Sequence, residues 1–162
     1  VEPALKPAAA QSRTHRVGVL ATRGTLQSDK YRALQRSLQE QAEFVDMACD
    51  GLAAAIEADD AEKTDQLCRE YLAALGPLGN QPGDIDTLVL GCTHYPFVSN
   101  TLRKYLAPGV ELLESGAPVA RQTRRLLEGG HLLATHGSPS DVILQATGSA
   151  DRLKWAAAQW LL

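Results

Sequence analysis

The stretch that decides the fold is Thr87–Phe97, TLVLGCTHYPF. Leu88, Val89 and Leu90 form a short apolar run closed by a glycine, the pattern of a strand buried on both faces. Gly91 allows a tight turn that presents Cys92, Thr93 and His94. Pro96 sits where a helix would open, a position that needs no N–H. A thiol, a hydroxyl and an imidazole are thus expected at the carboxyl end of a strand, just before a helix N-terminus, where open α/β sheets bind ligands. The helix dipole and the nearby imidazole both favour a thiolate, which makes Cys92 a candidate nucleophile or proton carrier. A cysteine that only fills a strand end needs neither the preceding glycine nor the following Thr-His.

Working outward, the chain has 162 residues, 44% hydrophobic and 22% charged, with a net charge of −3. That is the make-up of a globular α/β-sized domain, or one domain and a part. No basic tract points to nucleic acid, and no apolar run approaches the roughly 20 residues that span a bilayer. Three cysteines, Cys49, Cys68 and Cys92, lack metal-ligand spacing and suit a reducing, cytoplasmic setting; no metal is implied. The chain opens on Val1, and its first ten residues, VEPALKPAAA, have the look of an internal linker, so a processed or truncated chain is expected.

Strands and helices alternate along the sequence. Strands are expected at Arg16–Thr22, Phe44–Cys49, Thr87–Leu90, Val110–Glu114 and Val142–Thr147, by their short β-branched or aliphatic runs. A short helix fits after Pro7. A second carries Tyr31, Leu34 and Leu38 and is capped by Thr25 or Ser28. A third starts at Leu52 and stops near Asp59, and a fourth is capped by Asp60 and presents Leu67, Tyr71, Leu72 and Leu75. Further helices are expected at Pro96–Leu106, at Ser115–Leu127 with Val119, Thr123, Leu126 and Leu127 facing inward, and at the end of the chain, capped by Ser149 or Asp151 and carrying Leu153, Ala157, Trp160 and Leu161. This order implies right-handed crossovers and a mainly parallel sheet in a three-layer α/β sandwich.

Two more clusters belong to the expected ligand edge. ATRGT (Ala21–Thr25) follows the first strand. Thr22, Thr25 and nearby backbone N–H groups suit a carboxylate, although a turn-and-cap cluster explains them equally well. Glu57 follows the second strand as a candidate carboxylate; a solvated helix face is the plainer reading. Cys49 and Cys68 read as packing residues.

The stretches LVLGCTHYPF (Leu88–Phe97), VGVLATRGTLQSDKY (Val17–Tyr31), PALKPAAAQSRTHRVGVLAT (Pro3–Thr22) and ESGAPVARQTRRLL (Glu114–Leu127) resemble the glutamate racemases of the cofactor-independent aspartate/glutamate racemase superfamily. The resemblance implies interconversion of L- and D-glutamate for peptidoglycan, hence cell-wall biogenesis and cell shape, by a cytoplasmic isomerase that acts on a small molecule and uses no cofactor; the apolar strand and helix faces of residues 115–162 add the expectation of a homodimer. Two cysteines on opposite faces of the substrate Cα exchange its proton. Cys92 matches the second of them. Thr93 and His94 match the pair beside it, His94 as a catalytic and substrate-contacting residue. Thr22 and Thr25 match the substrate-binding turn, and Glu57 matches a family carboxylate eight residues beyond Cys49. Asp50 departs from the family, which often has proline there.

The family's Asp-Ser turn, Tyr-Gly pair and first Cys-Asn-Thr turn are missing from this sequence. By the resemblance, residues 1–114 form the family's second α/β domain and residues 115–162 the returning segment that completes the first. Two other readings stay open. One is a non-catalytic remnant or binding module. The other is a thiol hydrolase with Cys92 as nucleophile and His94 as base, for which no acidic orienter is evident in the nearby sequence.

Overall fold

The computed structural model of the chain describes residues 4–134 and 143–160. Four strands, β1 (Arg16–Ala21), β2 (Glu43–Ala48), β3 (Thr87–Leu90) and β4 (Glu111–Glu114), form one parallel sheet in the order β2-β1-β3-β4. The order reverses between β1 and β3, because the chain runs outward from β1 to β2 and then returns to the other side. Such a switch point opens a crevice at the carboxyl ends of the two central strands.

Helices cover both faces of the sheet, as the continuous apolar strands require. The side chains alternate. Val17, Val19 and Ala21 of β1 and Val89 of β3 point to one core, which contains Leu5, Ala8 and Ala9 of α1 (Leu5–Gln11) and Tyr31 of α3 (Asp29–Ser37). Leu20, Leu88 and Leu90 point to the other, with Leu52, Ala55 and Ile56 of α4 (Leu52–Glu57) and Leu67, Leu72 and Leu75 of α5 (Ala61–Leu75). The three-layer reading therefore holds for this region.

Local differences from the sequence expectation have local causes. The helix expected after Thr25 is two helices, α2 (Arg23–Gln27) and α3, hinged at Ser28, whose backbone ends one and whose hydroxyl accepts from Tyr31 N–H to start the next. The helix expected at Pro96–Leu106 is a 3₁₀ turn, Tyr95–Val98, followed by the short α6 (Ser99–Arg103), with Val98 at φ −113° interrupting regular geometry. Asp60 caps α5 as expected, accepting from Lys63 N–H at 2.9 Å.

Compact units divide between Thr123 and Arg124, within α7 (Gly116–Gly129). Contrary to expectation, α7 buries none of its residues: Val119 is 43% and Leu126 65% exposed. The expected fifth strand is not formed over residues 143–147, and Val142 lies outside the described residues. Ile143 there is 78% exposed. The last helix is α8 (Ala150–Trp160), capped by Ser149 as expected; Leu161 lies outside the described residues. Among the described residues no helix is long and apolar enough to cross a membrane.

Candidate functional site

Parallel register sets the site. Leu20 pairs with Leu90, so Thr22 and Cys92 each stand two residues beyond a paired position on neighbouring strands. Gly91 makes the approach close: its N–H donates to the Leu20 carbonyl at 2.7 Å. A Cβ at Gly91 would lie 2.9 Å from the Ala21 Cβ and 3.1 Å from the Leu20 oxygen. Glycine is thus required here by the proximity of β1 rather than by unusual backbone angles.

Beyond Gly91 the turn presents a half-buried Cys92, an exposed Thr93 and a half-buried His94. His94 Nδ1 is 3.7 Å from Cys92 Sγ, and its Nε2 is 2.7 Å from Glu57 Oε1. A carboxylate can only accept, so Nε2 carries the hydrogen. In the neutral ring Nδ1 is then bare and faces the thiol, ready to take its proton. Glu57 reaches the imidazole from the end of α4, 37 residues away in sequence. The acidic orienter that the nearby sequence did not reveal is therefore supplied by Glu57.

Thr22 and Thr25 also meet. Their hydroxyls are 2.9 Å apart, and Thr22 Oγ1 caps α2 by accepting the Thr25 N–H at 3.3 Å. The capping reading is thus realised, with both hydroxyl oxygens gathered at the carboxyl end of β1. Arg23, between them in sequence, pairs with Asp50 in the turn after β2. The hydrogen bond that Arg23 donates to the Asp50 carboxylate, then the charge of that carboxylate, holds the Arg23 guanidinium above its ordinary value.

The other two cysteines are buried. Burial pushes the Cys49 thiol up to about 12 and the Cys68 thiol to about 11, so neither is a base near neutral pH. Among the described residues Cys92 is the one thiol that is not buried. Sequence reading missed two features, one beside this thiol and one at the far end of the same strand. Tyr95, fully buried, donates its hydroxyl to the Cys49 carbonyl at 3.3 Å. Asp86, at the opposite end of β3, is 2% exposed and accepts from Ser12 Oγ at 2.6 Å and Arg13 N–H at 2.7 Å. Tyr95 carries its signal only in its place beside His94; Asp86 looks in sequence like any turn residue before a strand.

An open, doubly wound sheet with a thiol, an imidazole and a carboxylate in hydrogen-bond sequence at its switch point defines the class: an α/β protein with polar groups gathered at the ligand edge. The chain belongs to the Asp/Glu/Hydantoin racemase family, whose model matches residues 1–123. It is 40% identical over 153 residues to a glutamate racemase of Methylococcus capsulatus, covering 93% of this chain and 55% of that protein. It is 44% identical over 137 residues to a glutamate racemase of Ectopseudomonas mendocina, covering 83% of this chain and 50% of that protein. Among solved structures it is similar to Escherichia coli glutamate racemase in complex with L-glutamate and the activator UDP-MurNAc-Ala. The TM-score there is 0.75 at 28% identity, over 98% of this chain and 60% of that one. Glutamate racemase isoform RacE1 from Bacillus anthracis gives the same TM-score, 0.75, at 28% identity over 96% and 57%. The chain spans about half the length of the relatives it matches.

Proposed function

We propose that this chain carries the Cys92 half of a glutamate racemase site, interconverting L- and D-glutamate by proton transfer at Cα without a cofactor. The observation that carries this reading is the Cys92–His94–Glu57 line at the carboxyl end of β3, in a chain of a racemase family. Cys92 serves as the acid–base group on one face of the substrate. His94, oriented by Glu57, accepts and returns the thiol proton. Thr22, Thr25 and Thr93 hold the substrate's polar groups.

Inversion through a planar carbanion needs a proton donor on each face. With Cys49 and Cys68 buried, the second thiol must come from polypeptide other than residues 1–162. Residues 1–114 then act as the second α/β domain. Residues 115–162 complete a first domain, consistent with the exposure of Val119, Leu126, Leu132, Ile143 and Trp155. The whole enzyme is a cytoplasmic homodimer, and D-glutamate feeds peptidoglycan synthesis.

The test is circular dichroism of D-glutamate incubated with the chain alone and with the whole enzyme. The chain alone is expected to give no change. In the whole enzyme, Cys92→Ala is expected to abolish turnover, a loss of about a thousandfold or more for a missing acid–base group. Racemisation by the chain alone, or substantial activity of the variant, would remove the two-thiol reading.

Glu57 also favours a second reading, a thiol hydrolase, because a nucleophile, base and orienter are all in line. An acyl group trapped on Cys92 by an activated ester, and released by water with turnover, would support it.

A further inference from the structure

The turn after β2, Cys49–Gly51, bonds to residues next in sequence to the candidate site. The Cys49 N–H donates to the Ala21 carbonyl at 2.9 Å, directly before Thr22. The Asp50 carboxylate holds Arg23, between Thr22 and Thr25. The Asp50 carbonyl accepts from Tyr71 Oη at 2.6 Å, and the Cys49 carbonyl accepts from Tyr95 Oη at 3.3 Å. Gly51, at φ +80°, then opens α4, and α4 ends on Glu57. Two tyrosine hydroxyls thus grip adjacent carbonyls of one turn. Only Tyr95 belongs to the segment that carries the thiol and the imidazole.

We propose that Tyr95 is a positioning residue for the Cys92–His94 pair: anchored on the Cys49 carbonyl, it fixes the thiol turn against the segment from which α4 delivers Glu57. The proposal rests on the reading of Cys92 and His94 as the reacting pair. Its geometry is specific. Tyr95 is the residue after His94, and its N–H donates to the Cys92 carbonyl at 3.3 Å, so the anchored residue and the thiol turn form one hydrogen-bonded segment. Its hydroxyl is the one polar atom of a ring enclosed among aliphatic side chains of the α4–α5 core. Burial pushes that phenol far above its ordinary range, so it remains a donor wherever the fold survives. Slack of an ångström in this anchor falls directly on the 3.7 Å and 2.7 Å separations that align thiol, imidazole and carboxylate.

Tyr95→Phe keeps the ring and removes the anchor. The Cys49 carbonyl still accepts the Leu52 N–H at 3.3 Å, so the turn is not left without a donor. The test is iodoacetamide alkylation of the full chain as a function of pH, with each cysteine followed by mass spectrometry. His94→Asn serves as reference for a thiol without its imidazole. Tyr95→Phe is expected to slow Cys92 alkylation at neutral pH about three- to tenfold, the scale of one lost hydrogen bond. Its pH profile should move toward that of His94→Asn, while Cys49 and Cys68 stay unmodified. Tyr71→Phe, which cuts the neighbouring bond in the same turn, should keep the parent profile. A parent-like profile in Tyr95→Phe overturns the proposal. So does an equal shift in Tyr71→Phe, or new alkylation of Cys49 in Tyr95→Phe, since either would mark general loosening of the core. If His94→Asn itself keeps the parent profile, the reacting-pair reading fails, and the proposal with it.

Discussion

In α5, Leu67, Cys68, Leu72 and Leu75 lie buried along one side of the helix; in α7, Val119 and Leu126 stand 43% and 65% exposed. Both helices are amphipathic in sequence, with apolar residues recurring at helical spacing. The difference is what surrounds them. α5 lies over a sheet whose strands precede and follow it within a few tens of residues, and β2 and α4 both touch it. α7 follows the last strand of the sheet, β4, and no further strand is formed over residues 143–147. Periodicity therefore tells that a helix face requires cover; the cover itself belongs to other parts of the polypeptide.

The sharpest way to break this comparison is a matched pair of truncations. Leu72→Ala, at 2% exposure, should cost about 2–5 kcal/mol through lost transfer energy and a new cavity. Leu126→Ala, at 65% exposure, should stay within about 0.5 kcal/mol. Urea unfolding of each variant measures both. Equal losses would mean that α7 is packed as α5 is.

Asp86 tests whether the covered region is held by more than apolar contact. Burial alone would raise its carboxyl, but hydrogen bonds from Ser12, from the Thr14 and Arg13 N–H groups and from Thr87 outweigh it and hold the group below its ordinary value. A carboxyl depressed on folding stabilises the fold above its unfolded value of about 3.9, and that contribution is lost as the pH falls through the folded value. Unfolding midpoints should accordingly fall below about pH 4 in the parent and be less acid-sensitive in Asp86→Asn. At neutral pH Asp86→Asn should cost about 1.5–3 kcal/mol, because four donors lose a charged acceptor. Hydrogen exchange should locate the loss in α1 and the sheet and leave α8 unchanged; protection lost equally in α8 would mean that the two regions are not independent.

Gly91→Ala probes the close approach at the switch point. A methyl group 2.9 Å from the Ala21 Cβ and 3.1 Å from a backbone oxygen forces β1 and β3 apart locally, at a cost of about 1–3 kcal/mol. Thermal unfolding checks the cost. A variant as stable as the parent would show that the strand ends yield freely, and the rigid register between Thr22 and Cys92 would be lost as an explanation of the site.

These variants mark what the sequence made legible. The two central strands were readable because a strand buried on both faces must be apolar throughout, as VGVLA and LVL are. The cap at Asp60 was readable, and those at Ser28 and Ser149 were each narrowed to two candidates, because a cap precedes its helix and its side chain needs only a local donor. Cys92 and His94 share one turn, so their pairing followed from adjacency. The Glu57–His94 contact spans 37 residues and the Ser12–Asp86 bond 74, and no local pattern encodes either. The Val142–Thr147 run had strand composition, but strand formation depends on an edge to pair with, which composition does not report.

The smallest expected effect on stability is also the most direct probe of the uncovered face. Val119 and Leu126 are seven residues apart and so lie on one side of α7. Replacing both with glutamine removes no buried contact, because neither is buried, and glutamine keeps a good helix propensity. Stability should change by no more than about 0.5 kcal/mol. The apolar patch itself should shrink, so binding of a fluorescent apolar dye and concentration-dependent light scattering should both fall. A destabilised double variant with unchanged dye binding would mean that this face is already covered in solution, and the contrast between α5 and α7 would then disappear.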